Sequence, residues 1–200
     1  MHEVLLVIDY INDIVHPEGA IAKFGTSQHV IQQHAITNTQ AVLRYARRRK
    51  TKIIFVRVCF KPGHPELTNT KAPFYLAHKE NNWLVKGTWG TAFHDSLQPL
   101  PGEVVIEKQR VNPFSNPQLL KELAGIDTLN VAGVATNFSV EEAVRSAAAL
   151  DFLVTVLEDC CASNNQVMHE FALRQILPKF AVVSSSKDYI KRDTTGPGNY

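Results

Sequence analysis

The sequence has few cysteines, little net charge and no long apolar run. Its three cysteines, Cys59, Cys160 and Cys161, are an odd number, and free thiols in a reducing cytoplasm are expected. A net charge of +2 over 200 residues gives no electrostatic reason to expect nucleic acid or an acidic membrane as a partner. No stretch approaches the length of a membrane span, and the N-terminus lacks the charged-then-apolar pattern of a signal peptide. We therefore expect a cytoplasmic protein.

What the sequence does contain is a regular alternation of short apolar runs and helix-like segments, and its 44% hydrophobic content is typical of a globular enzyme. The predicted strands are residues 4–8, 53–60, 104–106, 128–131, 153–157 and 181–183. The predicted helices are residues 28–50, 92–98, 117–123, 140–150 and 166–176. This alternation predicts a three-layer α/β/α Rossmann-like fold with a six-stranded parallel sheet. One domain is expected over residues 1–190, followed by a polar tail at 191–200.

One connection, residues 61–90, interrupts this rhythm with a long segment rich in glycine and proline. Long loops in a compact domain are usually lids or binding loops. Trp83 and Trp89 lie within it, and they could form a wall of a substrate pocket or fill a subunit interface. Packing of the loop onto its own domain is an equally good explanation.

Three polar residues lie where predicted strands end: Asp9 after the first, Lys108 after the third and Ser139 after the fourth. Ligands of open parallel sheets bind at the carboxyl ends of the strands. A carboxylate that directly follows an apolar strand needs a partner, and Lys108 is the natural one. Ser139 belongs to a strand–turn–helix run, LNVAGVATNFSV, which suits a nucleophile beside backbone N–H groups. Alternatively, Ser139 and Glu142 form a helix capping box.

Four short motifs occur in an order that resembles one known family. They are DYIND at residues 9–13, Lys108 followed by Phe114, GVATNFS at residues 133–139 and DCCAS at residues 159–163. Together they closely resemble the isochorismatase-like hydrolases, also called the cysteine hydrolase superfamily, over about residues 3–186. Most members of that family have a cysteine where this chain has Ser139.

The resemblance implies roles for individual residues. The catalytic residues would be Asp9, Lys108 and Ser139. The turn that forms the oxyanion hole would contain Val134, Ala135 and Thr136, with a cis peptide between Val134 and Ala135. Further candidates for the substrate pocket are Asn12, Trp83, Trp89, Phe114 and Phe138. Family members are commonly dimers or tetramers, so a homo-oligomer acting on a small molecule is expected.

Serine in place of cysteine changes the chemistry that the resemblance implies. A hydroxyl is a much weaker acid than a thiol and needs a positioned base, usually a histidine, which the sequence does not supply near Ser139. The amide hydrolysis known from some family members is therefore less favoured. The resemblance to isochorismatases, which commonly have Gly or Ser at this position, implies vinyl-ether hydrolysis of a small, carboxylated molecule with Asp9 as general acid. The alternatives are an amidase that uses Ser139 and a catalytically silent ligand-binding relative. The sequence has no Asp-x-His motif like that of nicotinamidases, so no metal and no cofactor are expected.

Overall fold

A computed structural model describes residues 2–192 of the chain. Within these residues, six parallel strands form one sheet in the order β3-β2-β1-β4-β5-β6. The strands are β1 (Glu3–Ile8), β2 (Lys52–Val58), β3 (Val104–Lys108), β4 (Thr128–Val134), β5 (Leu153–Ala162) and β6 (Val182–Ser184). The predicted fold class is confirmed.

Helices cover both faces of the sheet. They are α1 (Asn12–Val15), α2 (Thr26–Gln32), α3 (Ala35–Arg48), α4 (Pro73–Glu80), α5 (Pro117–Glu122), α6 (Glu141–Ala148), α7 (Gln166–Phe171) and α8 (Ser186–Lys191). Side chains alternate along a strand, so Leu5 and Val7 of β1 enter the core cluster under α3, whereas Leu6 and Ile8 enter the cluster under α6. Burial on both sides explains why β1 is a continuous apolar run.

The predicted helix over residues 28–50 is wrong, because two helices occupy this stretch. The chain turns at His34, which has a left-handed backbone with φ of 53°. Helix α2 ends at Gln32, and α3 begins at Ala35. Ile31, near the end of α2, is 61% exposed.

Two segments between β2 and β3 also differ from the prediction. Residues 92–98 do not form an α-helix; only Asp95–Leu97 form a 3₁₀ turn, in which the His94 ring accepts a hydrogen bond from the Ser96 N–H. Conversely, the connection 61–90 contains α4, which begins at Pro73. Proline fits the first turn of a helix because its missing N–H would have no partner there.

The C-terminal boundary falls inside a helix, since α8 continues to Lys191. The rest of the predicted tail, residues 193–200, lies outside the described residues. None of the helices described is long and apolar enough to cross a membrane.

Candidate active site

The side chains of Asp9, Lys108 and Ser139 meet at the carboxyl edge of the sheet. Asp9 directly follows β1, Lys108 ends β3, and Ser139 lies in a π-helical turn after β4, Thr136–Val140. The Lys108 Nζ lies 2.7 Å from Asp9 Oδ2. The Ser139 hydroxyl donates a 2.8 Å hydrogen bond to the same oxygen and accepts one of 3.1 Å from Lys108 Nζ. All three side chains are buried.

The polar atoms of this group are fully hydrogen-bonded. Asp9 Oδ1 accepts a 2.7 Å hydrogen bond from the Val58 N–H. Lys108 Nζ donates its remaining hydrogen to the Arg110 carbonyl at 3.1 Å. An ion pair withdrawn from water needs such partners, because desolvation otherwise outweighs the attraction of the charges. The arrangement therefore holds the carboxylate and the ammonium in fixed positions around the Ser139 hydroxyl.

The interpretation of Ser139 as a helix cap is wrong. Ser139 lies inside the π-helical turn, and α6 starts at Glu141 without a side-chain cap. Its hydroxyl bonds Asp9 and Lys108 instead of a free N–H of the helix. The hydroxyl therefore belongs to the buried charged group and not to the start of the helix.

The turn before Ser139 contains a cis peptide between Val134 and Ala135, at the position that the resemblance implies. Thr136, the next residue, is buried, and its hydroxyl is 2.8 Å from His169 Nδ1. The His169 ring packs against His29 at 4.9 Å between centroids. Burial, assisted by His29, lowers the pKa of His169 to about 4. No local sequence pattern identifies this histidine pair, because its members lie on α2 and α7.

A cavity of about 330 Å³ opens onto Asp9, Lys108 and Ser139. Its aromatic walls are Phe60, Phe74, Tyr75, Trp83 and Phe138. The Phe74 and Phe138 rings stack with centroids 5.5 Å apart and are 43% and 38% exposed. A pocket of this kind suits a small ligand with a planar, apolar body.

The predicted pocket residues separate into two groups. Trp83 and Phe138 line the cavity, as do the turn residues Val134 and Ala135. The other three candidates, Asn12, Trp89 and Phe114, do not line the cavity. The Asn12 amide donates to the Trp89 carbonyl at 3.0 Å and so ties two loops together.

Trp89 and Phe114 lie elsewhere. The Trp89 ring is 50% exposed and contacts His16 edge-on, away from the cavity. Phe114 packs against the core cluster beneath α6. Trp89 is a candidate because of its place in the long connection and Phe114 because of the resemblance, and neither ground determines the direction in which a side chain points.

Sequence reasoning missed His78 and Arg110, which also line the cavity. His78 lies on α4, in the segment expected to be irregular. The Arg110 guanidinium lies 5.2 Å from the centre of the Tyr75 ring and donates a hydrogen bond to the Glu66 carbonyl at 3.2 Å. One feature of the sequence indicated that Arg110 could belong to the site, which is that it follows Lys108 by two residues. Among the residues described, no group of three or more His, Cys, Asp or Glu side chains is arranged to hold a metal ion.

The fold and the buried triad define a three-layer α/β protein with a candidate active site at the carboxyl ends of β1, β3 and β4. A family model described as the Isochorismatase domain matches residues 3–188. The chain therefore belongs to the isochorismatase family.

Relatives and solved structures support this membership. The ureidoacrylate amidohydrolase RutB of Yersinia enterocolitica (serotype O:8 / biotype 1B) is 31% identical over 157 residues, covering 71% of this chain and 66% of the relative. The chain thus spans slightly less than two thirds of that relative. An isochorismatase-like hydrolase from Alkaliphilus metalliredigens is 26% identical, with a TM-score of 0.75 and coverage of 96% and 98% of the two chains. The N-carbamoylsarcosine amidase of Thermoplasma acidophilum is 22% identical, with a TM-score of 0.68 and coverage of 93% and 97%.

Proposed function

We propose that this hydrolase cleaves a C–N bond of a small amide or ureide, with Ser139 as the nucleophile, Asp9 as the base and Lys108 as the electrostatic partner. The observation that carries the proposal is the set of donors around Asp9. The Val58 N–H, the Lys108 ammonium and the Ser139 hydroxyl all donate to its carboxylate. The Ser139 hydroxyl already directs its hydrogen to Asp9 Oδ2, so this oxygen is placed to take the proton when Ser139 attacks.

This arrangement of donors around Asp9 suits amide hydrolysis better than vinyl-ether hydrolysis, the reaction that the sequence analysis favoured. A general acid must carry a proton when the substrate binds, whereas the groups around Asp9 supply hydrogens and offer little to accept one. The names of the relatives support the same preference, because they describe an amidohydrolase and an amidase.

In the first half of the reaction, the Ser139 Oγ attacks the carbonyl carbon of the substrate and passes its proton to Asp9. The negative charge that forms on the carbonyl oxygen is stabilised by the backbone N–H groups of Ala135 and Ser139, with the Lys108 ammonium nearby. When the C–N bond breaks, Asp9 gives the proton to the leaving nitrogen. An acyl group remains on Ser139, and a neutral amine or ammonia departs.

In the second half, a water molecule attacks the acyl carbon and passes a proton to Asp9. The C–O bond to Ser139 breaks, and the proton returns to the Ser139 oxygen. One water is consumed, and a carboxylic acid or carbamic acid leaves. Lys108 keeps its proton throughout, since its role is to offset negative charge beside the reacting hydroxyl.

The proposal is tested by incubating the purified protein with a panel of aromatic amides and ureides, including ureidoacrylate, and measuring amine or ammonia release. Isochorismate, with pyruvate as the readout, is assayed beside them. We expect amine release that Ser139→Ala abolishes, and a mass increase of one acyl group on Ser139 in rapidly quenched samples. Ser115→Ala, at an exposed position, is the matched control. Pyruvate release that persists in Ser139→Ala would establish the vinyl-ether reaction instead.

A further inference from the structure

His78 lies on α4 and lines the same cavity as Ser139, although no sequence motif involves it. Its side chain is 7% exposed and surrounded by rings, with Phe74 at 4.6 Å and Trp83 at 6.0 Å between centroids. A polar group held among apolar walls needs a hydrogen-bond partner for each of its polar atoms. Each of the two ring nitrogens of His78 therefore needs a hydrogen-bond partner.

The Nδ1 atom of His78 is satisfied within its own helix. It lies 2.5 Å from the Phe74 carbonyl oxygen. A carbonyl oxygen only accepts hydrogen bonds, so Nδ1 carries the hydrogen. In a neutral ring with this tautomer, the other nitrogen, Nε2, has a free lone pair and acts as an acceptor.

The Nε2 atom opens into the cavity. It has no hydrogen-bond partner among residues 2–192. It nevertheless keeps some access to solvent. The ring as a whole is buried and lines the cavity, so the access that remains to Nε2 is from the cavity side. A ligand in the cavity can reach this lone pair.

The ring also stays neutral under ordinary conditions. Burial lowers the pKa of His78 below its usual value, and electrostatic interactions with His64 and Lys108 act in the same direction. The hydrogen bond to Phe74 opposes them without reversing the shift. His78 is therefore an acceptor at neutral pH.

We propose that His78 determines substrate specificity: its Nε2 accepts a hydrogen bond from an N–H group of a substrate with a planar, apolar body. The proposal rests on the proposed function, because amides and ureides carry this N–H and esters do not. The aromatic walls Phe74, Trp83 and Phe138 hold the planar body, and His78 selects the compound that presents a donor. A ligand without the donor leaves the buried lone pair without a partner, and this lowers its affinity.

A pair of nearly isosteric probes tests this role. N-methylbenzamide and methyl benzoate differ by N–H against O, and their dissociation constants are measured by calorimetry. The parent protein is Ser139→Ala, in which neither probe is turned over. Three double variants add His78→Leu, His78→Gln or His94→Leu. His94 lies outside the cavity, and its substitution is the matched control.

In the parent, we expect methyl benzoate to have a larger dissociation constant than N-methylbenzamide. The ratio of the ester's constant to the amide's constant measures this preference. Adding His78→Leu should lower that ratio about tenfold, the effect of one hydrogen bond of about 1.4 kcal/mol. His78→Gln, which retains an acceptor, should restore part of the ratio, and His94→Leu should leave it unchanged. A purely structural role for His78 would weaken both probes equally.

An unchanged ratio in His78→Leu would overturn the proposal, and so would the absence of measurable binding of either probe to the parent. Amine release by the wild-type protein is measured separately. If the ratio responds as expected but no amide or ureide is cleaved, the specificity role stands and the proposed C–N hydrolysis fails.

Discussion

Ser139 Oγ donates a hydrogen bond to Asp9 Oδ2 over 2.8 Å, although 130 residues separate the two in the chain. The same carboxylate oxygen lies 2.7 Å from Lys108 Nζ. One oxygen atom thus receives both the hydroxyl and the ammonium. Asp9, the proposed base, is therefore also the counter-charge of Lys108, and substitutions at Asp9 should affect catalysis and stability together.

Asp9→Asn should lower amine release by about 100-fold or more, because the amide cannot accept the Ser139 proton and general-base catalysis has this magnitude. The backbone at Asp9 is left-handed, with φ of 57°, and asparagine tolerates this conformation. Circular dichroism should therefore show an unchanged fold. Asp95→Asn, at an exposed position, is the matched control. Full activity in Asp9→Asn would contradict the assigned base.

The same substitution should also reduce the free energy of unfolding, by on the order of 3 kcal/mol, because it leaves the buried Lys108 ammonium without its counter-charge. Adding Lys108→Met removes that charge and should recover most of the loss, while activity stays absent. Urea denaturation of the single and double variants measures this. If the double variant is less stable than Asp9→Asn alone, the ion pair is not the origin of the effect.

Ser139→Cys should increase amide hydrolysis at pH 8 by about tenfold or more, since a thiol ionises near pH 8.5 and a hydroxyl does not. The Lys108 ammonium, 3.1 Å from the present oxygen, would favour the thiolate. Steady-state rates on the best amide measure the gain, and loss of activity with iodoacetamide identifies the new nucleophile. A rate below that of the wild type would show that the site is shaped for oxygen.

Phe138→Ala should raise KM about three- to tenfold with little change in kcat, because it removes one ring of the stacked pair with Phe74 at the wall of the cavity. The reacting groups stay in place. Phe180→Ala is a suitable control, since that phenylalanine is 37% exposed and lies outside the cavity. A loss confined to kcat would indicate that Phe138 positions Ser139 instead.

Acid should destabilise the fold through His169. Its pKa falls from 6.5 to about 4 in the folded protein, mainly because of burial. Between these values the unfolded chain binds a proton that the folded chain excludes, so stability should decrease as pH falls from about 6.5 to about 4. Nearby His29 and Arg174 favour the neutral ring, and Glu170 opposes them.

Replacing His169 by glutamine should flatten this decline, because the new side chain has no proton to bind in the unfolded chain. Urea midpoints at pH 7.0, 5.5 and 4.5 compare the variant with the wild type. Parallel curves for the two proteins would assign the acid sensitivity to other groups.

The sequence predicted the sheet and the meeting of Asp9, Lys108 and Ser139 for the same reason. Buried parallel strands are apolar on both faces, so β1 can be recognised as a continuous run, and residues that follow such strands share one edge. The residues that form the walls of the cavity were harder to predict from the sequence. Phe114 follows Lys108 closely in sequence but packs into the core, whereas His78 comes from a connection whose helix the pattern did not indicate.

Two errors in the helices have a local origin. The helix predicted over residues 28–50 is interrupted by a left-handed turn at His34, and no glycine or proline signals the break. Helix α4 begins with a proline, which suggested a loop. In each case the local composition favoured one structure and tertiary packing stabilised another.

The sheet order places Asp9 and Lys108 in one half of the molecule and Ser139 in the other, with β1 and β4 as the seam between them. During synthesis, strands β1 to β3 leave the ribosome before β4 does. A nascent chain at that stage presents Asp9 and Lys108 but not Ser139. Contacts between such distant segments form late in folding, since they close long stretches of chain. Hydrolytic activity should therefore emerge only with the completed sheet, and an abandoned fragment should not cleave substrate prematurely.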